Sequence, residues 1–483
     1  MRRDPGPWLA MGAAILAHAT AFAGTFQFDD WKVVVDERRV SSLGAWWSSM
    51  PGIRPLLKLS FALNHASGWG LAGFHAVNVA LHGLNALLVY RLLRRLRWRA
   101  DGCEARPGEA WPAGGGGDLA PAGPDPAALL GALLFALHPV QTEAVVYVSG
   151  RSSSLAAALA LASMLAWLAG RDRGQRWLTH AVSPLLMACS LGAKETAVVL
   201  PAALLLLEAA DRRRPFSWRA ALSATAVHWA LLAAGLALFA AAPSYRHMAE
   251  HALTLRGPLE NAAVQLSAVA WLAGQLLRPD ALVADPVLAP PWPVAALAMA
   301  TVVALGLAWS WRALRGSAGP PGREVAAALA LPWFLLWLAP SGWWLPRPEP
   351  ANDRQLYLAL VGPAWWAASW LASAGPRRRW RLVLAALLLA GLGALTAGRN
   401  LVYRDEVTFW VNVARRAPGN PRAYGNLGFA LARCGRGAEA EAALSEAIAL
   451  DPGYLRAGVN LRLLREGLLV SPGEPAERRC PAR

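Results

Sequence analysis

The chain has 483 residues, 55% of them hydrophobic and only 16% charged, which is too apolar for a set of water-soluble domains of ordinary composition. Its formal charge of +16 does not mark a nucleic-acid binder, because the basic residues neither alternate with aromatics nor line a recognition helix. They cluster between apolar runs, as at 91–97, 212–214 and 377–379, the pattern of charges that set membrane topology. Only Lys32, Lys58 and Lys194 are lysines; the Arg, Ala, Gly and Pro excess reads as the codon bias of a GC-rich, bacterial genome. Cys103, Cys189, Cys434 and Cys480 have no CxxC spacing and suggest neither a disulfide framework nor a zinc site.

The apolar runs are roughly 17–24 residues long, the length a helix rising about 1.5 Å per residue needs to cross about 30 Å of hydrocarbon. Arg2 and Arg3 precede the first, at about 8–26, and no small-residue cleavage site follows it. It is therefore expected to be a retained span with its N-terminus inside. Ten more spans are expected at about 72–92, 127–148, 152–170, 177–193, 196–210, 219–242, 294–314, 325–341, 356–374 and 380–397. Eleven crossings put the C-terminus outside, and the short inside loops are the denser in Arg and Lys, as such an orientation requires. The stretch 260–278, with Trp271 and flanking charges, suits an interfacial or re-entrant helix. The Gly- and Pro-rich segment 99–126 reads as a disordered cytoplasmic linker. The expected fold class is all-α and polytopic, with a transmembrane region over 1–398 and an extracytoplasmic region over 399–483.

Residues 421–454 match one tetratricopeptide unit of 34 residues: Tyr424, Leu427, Gly428, Leu431, Ala440, Leu444, Ala447 and Pro452 keep its internal spacing. Partial units flank it, at 409–418 and 455–464. Because about three repeats normally make a stable solenoid, this helix pair is expected to pack on the membrane region.

The expected outer face collects the polar chemistry. The loop 27–71 opens with Asp29 and Asp30; adjacent carboxylates at an interface repel and lose hydration, so at least one should have a raised pKa, which suits a general base. Arg54, His138, Glu143, Arg151, the Lys194–Glu195 turn, Asp285 and the Asp353–Arg354 pair follow at span ends. His75, Asn78, His82 and Asn85 recur at three- and four-residue steps, forming a polar stripe better suited to interhelical hydrogen bonds than to catalysis. Cations, histidines and carboxylates enclosed by helices are what a lipid-phosphate donor needs: cations stabilise a departing phosphate and a carboxylate deprotonates an acceptor hydroxyl. No metal or other cofactor is called for.

The stretches FQFDD at 26–30, RPLLKLSFALN at 54–64, FHAVNVALHGLNALLVY at 74–90, HPVQTEAVVYVSGRSS at 138–153, AKETAVVLP at 193–201 and DRQLYLAL at 353–360, in that order and followed by the repeat, resemble the transmembrane and tetratricopeptide-repeat O-mannosyltransferases of the GT-C class. The resemblance implies a GT-C membrane fold and transfer of a sugar, in the family mannose, from a polyprenyl-phosphate donor to a protein hydroxyl with inversion. By motif match it gives Asp29 and Asp30 the base role, and places Arg54, His138, Glu143, Arg151, Lys194, Glu195 and Arg354 around the donor phosphate and sugar. Partners implied are the bilayer, the lipid-linked sugar and an acceptor protein, with a further protein partner on the repeat, in a bacterial plasma membrane. The pattern departs from the family at Ser153, where an acidic residue usually follows the SGR turn, and at 353–357. The competing expectation is a non-catalytic membrane scaffold, which the short repeat disfavours because a lone unit offers little concave surface.

Overall fold

A computed structural model of the chain describes residues 4–50, 52–101, 123–213, 215–241, 243–315, 321–343, 346–347 and 349–469, and within them every regular element is helical. Helix α1 (Gly6–Ala17) carries Pro7 in its first turn, where a fixed φ and a missing N–H are tolerated. A loop then carries the short α2 (Leu43–Ser48) and α3 (Pro55–Ser67). The 31-residue α4 (Gly70–Ala100) is the central element, followed by α5 (Pro126–Leu137), α6 (Thr142–Val145), α7 (Arg151–Arg173), α8 (Ser183–Ala193) and α9 (Leu200–Ala209). Next come α10 (Trp218–Ala241), α11 (Pro243–Leu255), α12 (Pro258–Leu277), α13 (Pro293–Arg315) and α14 (Pro321–Leu338). The chain closes with α15 (Leu356–Ala359), α16 (Val361–Leu371), α17 (Arg378–Asn400), α18 (Glu406–Arg416), α19 (Pro421–Arg433), α20 (Gly437–Leu450) and α21 (Leu455–Arg465).

Seven of the described helices are long and apolar enough to cross a membrane, or eight if α5 and the bent piece after it make one span. The protein is an all-α, multi-pass membrane protein. Of the other three expected segments, 177–193 is one apolar helix, Leu178–Ala193, shorter than the seven, whereas 196–210 and 356–374 are each divided into two helical pieces. Pro184 and Pro201 lie in the first turns of α8 and α9, where a missing N–H is tolerated. The stretch 260–278 is the helix α12, which turns Asn261 toward the Gly342 carbonyl at 2.8 Å. Most of the expected linker 99–126, together with Cys103 and Cys480, lies outside the described residues.

Small residues let these helices approach closely, as packing without a strong hydrophobic drive requires. A Cβ on Gly83 of α4 would meet Ile15 of α1 at 3.1 Å, and one on Gly131 of α5 would meet Leu93 of α4 at 2.6 Å. Trp167, Trp333 and Trp365 fill the interior. By contrast α10, α13 and α17 leave leucines and valines such as Leu238, Val302 and Leu387 exposed, the surfaces that meet lipid.

At one end of the bundle, Arg99 is buried between Asp172 and Asp211, at 2.5 and 2.9 Å, and Arg213 reaches the same two carboxylates. This network ties α4, α7 and α9 together beside the Arg94–Asp4 pair. Arg94 and Arg213, from two of the basic clusters, are therefore structural. The opposite end carries the loop 27–71, the turns after α5 and α8, and the C-terminal helices. There α19 and α20 form an antiparallel pair in which Gly428 faces Leu444 and the Ala440 carbonyl too closely for any Cβ; Leu431, Ala440, Leu444 and Ala447 are buried. Arg422 at the start of α19 pairs with Asp285 and Glu349 at 3.0 and 2.6 Å, which docks the pair on the membrane region. Cys434, just after α19, is disulfide-bonded, a pairing that residue spacing in the sequence did not signal.

Candidate active site

Asp29 and Asp30 stand in a segment that leaves α1 and turns sharply at Phe28, a non-glycine residue held at φ 49°. Left-handed backbone is costly for a bulky side chain and persists only where its surroundings enforce it. The turn sends the two carboxylates different ways. Asp30 is fully buried: one oxygen accepts the Ser149 N–H and hydroxyl at 2.7 and 2.5 Å, the other the Gln27 N–H at 3.1 Å. Burial pushes its pKa up to about 7 against the pull of those donors. Asp29 is exposed, with its backbone N–H on the Tyr147 hydroxyl at 3.1 Å.

Ser149 and Tyr147 come from the turn between α5 and α7. Pro139 breaks the α5 ladder, and the chain bends by 51° there. The turn then folds so tightly that a Cβ on Gly150 would lie 2.4 Å from the Glu143 carbonyl oxygen, so only glycine fits. That folding brings Glu143 to Arg354, whose Nε lies 2.7 Å from Glu143 Oε1 and whose backbone N–H donates to Oε2 at 3.1 Å. The Arg354 guanidinium lies over the Tyr147 ring, 5.3 Å from its centre. Asp29, Tyr147 and Arg354 thus form a continuous row.

Beyond Arg354 a cavity opens, lined by Ser153, Ser190, Lys194, Arg354, Gln355 and Tyr357 among others. Lys194 donates to the Ser153 hydroxyl at 2.7 Å. Burial, with Arg354, Arg54 and Arg347 nearby, holds the Lys194 ammonium well below the usual lysine range. Arg54, left-handed at φ 51° before Pro55, grips Glu195 with bonds of 2.9, 3.1 and 2.7 Å. Burial opposes its charge, yet the Glu195 carboxylate raises the Arg54 pKa overall; the same pairing lowers Glu195 against burial. Arg54, Lys194, Arg347 and Arg354 gather here with the carboxylates Glu143, Glu195 and Glu349 and, across Tyr147, Asp29. Basic side chains crowded in this way offer contacts to an anion.

Asp353, next to Arg354, is buried and pushed up to about 7 by that burial, although Arg399 at 3.6 Å opposes the shift.

Two expected site residues lie outside the lining of this cavity. His138 spends its ring on the Val140 N–H, 3.2 Å from Nδ1, and on the Leu276 carbonyl, 3.3 Å from Nε2. Arg151 is fully buried, giving Nε to Asn78 Oδ1 at 2.7 Å and its terminal nitrogens to the Ser60 and Phe74 carbonyls. Both hold the turn and the α3–α4–α7 packing rather than facing the cavity. The polar stripe of α4 behaves as its spacing suggested: Asn78 donates to the Val145 carbonyl at 3.1 Å, His82 contacts the Tyr357 hydroxyl and the Ala136 carbonyl, and Asn85 donates to the Ser154 carbonyl.

The sequence reading left out Tyr147 and Arg347. Tyr147 stood inside a quoted motif, where an aromatic in an apolar run carries no signal of its own, and Arg347 lies in a Pro-rich stretch without periodicity.

No family model matches the chain. The protein O-mannosyl-transferase TMTC4 of Mus musculus is 32% identical over 203 residues, 37% of this chain and 25% of that protein. The protein O-mannosyl-transferase Tmtc2 of Drosophila melanogaster is 34% identical over 197 residues, 38% and 17% of the two chains. The protein O-mannosyl-transferase TMTC1 of Mus musculus is 30% identical over 218 residues, 40% and 21%. The similarity therefore spans a quarter or less of the length of these curated relatives.

Proposed function

We propose, from the premise that the chain is a relative of the transmembrane and tetratricopeptide-repeat protein O-mannosyl-transferases, that it is a membrane glycosyltransferase acting on protein. In this reading it moves mannose from a polyprenyl-phosphate donor to a protein hydroxyl, inverting, at the extracytoplasmic face of a bacterial plasma membrane. The observation that carries it is the row from the exposed Asp29 carboxylate, past Tyr147 and Arg354, to the Lys194 cavity.

Asp29 takes the proton of the acceptor hydroxyl, whose oxygen attacks the anomeric carbon from the face opposite the phosphate. The bond from that carbon to the phosphate oxygen breaks, and its electron pair leaves with the polyprenyl phosphate. Charge that grows on the departing phosphate meets Lys194 and Arg354, with Arg54 and Arg347 behind them. Preorganised cations in a site shielded from water stabilise such charge most strongly. They supply what the leaving group needs, so this reading requires no metal.

Glu143 and Glu195 hold Arg354 and Arg54 in place, and Asp30 holds the turn that presents Asp29. The disulfide at Cys434 fits an oxidising, extracytoplasmic location for the C-terminal helices.

The test is mass spectrometry of exported proteins from cells with and without this chain, paired with transfer from polyprenyl-phosphate mannose by the purified protein. Mannose lost from serine or threonine in the deletion, and restored by wild type but not by Asp29→Asn, is the expected result. Unaltered glycans, with no transfer in vitro, would sink the reading.

A further inference from the structure

The C-terminal helices reach further into the site than a docked accessory needs to. Residues 25–31 are held on one side by the α5–α7 turn and on the other by the chain that follows α17. Thr25 donates its hydroxyl to the Arg404 carbonyl at 3.1 Å, and the Gln27 amide donates to the Tyr403 carbonyl. The Phe28 backbone N–H donates to Glu406 Oε1, in the first turn of α18, at 3.0 Å. The Phe28 ring stands edge-on to Phe409 at 4.6 Å, to Trp410 at 5.4 Å and to Tyr147 at 5.7 Å. From α19, Arg433 pairs with Glu406 at 3.5 Å and lies over the Trp31 ring.

Phe28 is also the residue in left-handed backbone. Its conformation decides where the next residue points, because reversing the sign of φ would swing Asp29 away from Tyr147. A strained residue of this kind keeps its conformation only while its surroundings over-determine it, and α18 supplies much of that surrounding.

We propose that α18 is a positioning element for the Asp29 carboxylate, acting through Phe28, with Glu406, Phe409 and Trp410 as the positioning residues. The inference rests on Asp29 being the base. It makes the C-terminal region part of what readies the active site, whatever acceptor or partner the repeat also meets.

The experiment uses the full-length protein and three variants, Glu406→Leu, Glu406→Gln and Phe409→Leu. Glutamine keeps an oxygen that accepts the Phe28 N–H; leucine does not. In Glu406→Leu and Phe409→Leu, kcat should fall roughly 10- to 100-fold, since a displacement of about 1 Å at the reacting groups is worth that much. Donor KM should stay within about twofold, and Glu406→Gln should recover most of the rate. Hydrogen–deuterium exchange of the amides at 26–31 should rise in the two leucine variants and not in Glu406→Gln, with exchange in α4 and α7 unchanged.

Wild-type kcat in Glu406→Leu, an equal loss in Gln and Leu, or exchange at 26–31 that does not change would each overturn the proposal. Should wild type transfer no mannose, or Asp29→Asn keep full activity, the assignment of the base fails separately. The exchange measurement still decides whether α18 holds the segment.

Discussion

One oxygen of Asp30 accepts both the backbone N–H and the hydroxyl of Ser149, at 2.7 and 2.5 Å. Those bonds join the exit of the first span to the turn between α5 and α7, 119 residues away in sequence, and with the Gln27 N–H they occupy both Asp30 oxygens. Asp29, beside it, keeps its carboxylate exposed at the rim.

The two neighbours should therefore respond differently to the same substitution. Asp29→Asn should lower kcat about 10²- to 10⁴-fold, the usual contribution of a general base, and leave the melting temperature in detergent where it was. Asp30→Asn places an amide donor among three donors, at a cost of about 1–3 kcal/mol in stability, and its main effect should be a lower melting temperature. Full activity in Asp29→Asn, with complete inactivity in a well-folded Asp30→Asn protein, would reverse the assignment.

Lys194 bonds a hydroxyl rather than a carboxylate, so an anionic ligand beside it would favour the charged form that burial and the nearby arginines disfavour. Lys194→Met should weaken binding of the polyprenyl-phosphate donor about 10- to 100-fold, the equivalent of losing one charge-assisted hydrogen bond of roughly 1.5–3 kcal/mol. Competition by polyprenyl phosphate itself measures this directly. A variant that binds the product as tightly as wild type would remove Lys194 from the phosphate site.

Asp30 and Asp353 both sit near 7 in the folded protein against 3.8 for the free carboxyl. The folded state therefore holds protons that the unfolded chain has already released. Stability from this source is full below about pH 4 and is lost as pH rises toward about 7. Melting temperature measured across that window should carry a declining component for wild type, weakened in Asp353→Asn. A profile that is the same in both proteins would show that Asp353 does not titrate there.

Gly150 lies against the Glu143 carbonyl with no room for a Cβ. Gly150→Ala should push the α5–α7 turn apart, costing about 1–3 kcal/mol in stability, and move Tyr147 and Ser149 away from the Asp29–Asp30 segment. Both melting temperature and kcat should fall together. An alanine variant with wild-type values for both would mean that the turn relaxes freely.

The apolar runs, the charged punctuation between them and the tetratricopeptide spacing were legible because each is a local pattern: a helix long enough to cross a membrane announces itself by length and composition alone. The polar stripe of α4 could be read for the same reason, since a 3.6-residue period puts His75, Asn78, His82 and Asn85 on one face. Two of the eleven segments read as spans, 196–210 and 356–374, are divided helices and a third, 177–193, is a shorter helix, because helix breaks act through backbone geometry that a hydropathy window averages away.

The charged residues could be gathered at one end of the bundle from sequence, but not sorted. His138 and Arg151 share motifs with Glu143, yet His138 bonds the Val140 N–H of its own turn and the Leu276 carbonyl, and Arg151 bonds Asn78, Ser60 and Phe74, while Glu143 meets Arg354. Nothing adjacent in the chain separates Asp29 from Asp30; the left-handed turn at Phe28 and the partners at Ser149 and Glu406 do. Composition and period are properties of a segment, whereas the partner of a buried charge is chosen by which distant segments pack beside it, and only the tertiary structure decides that.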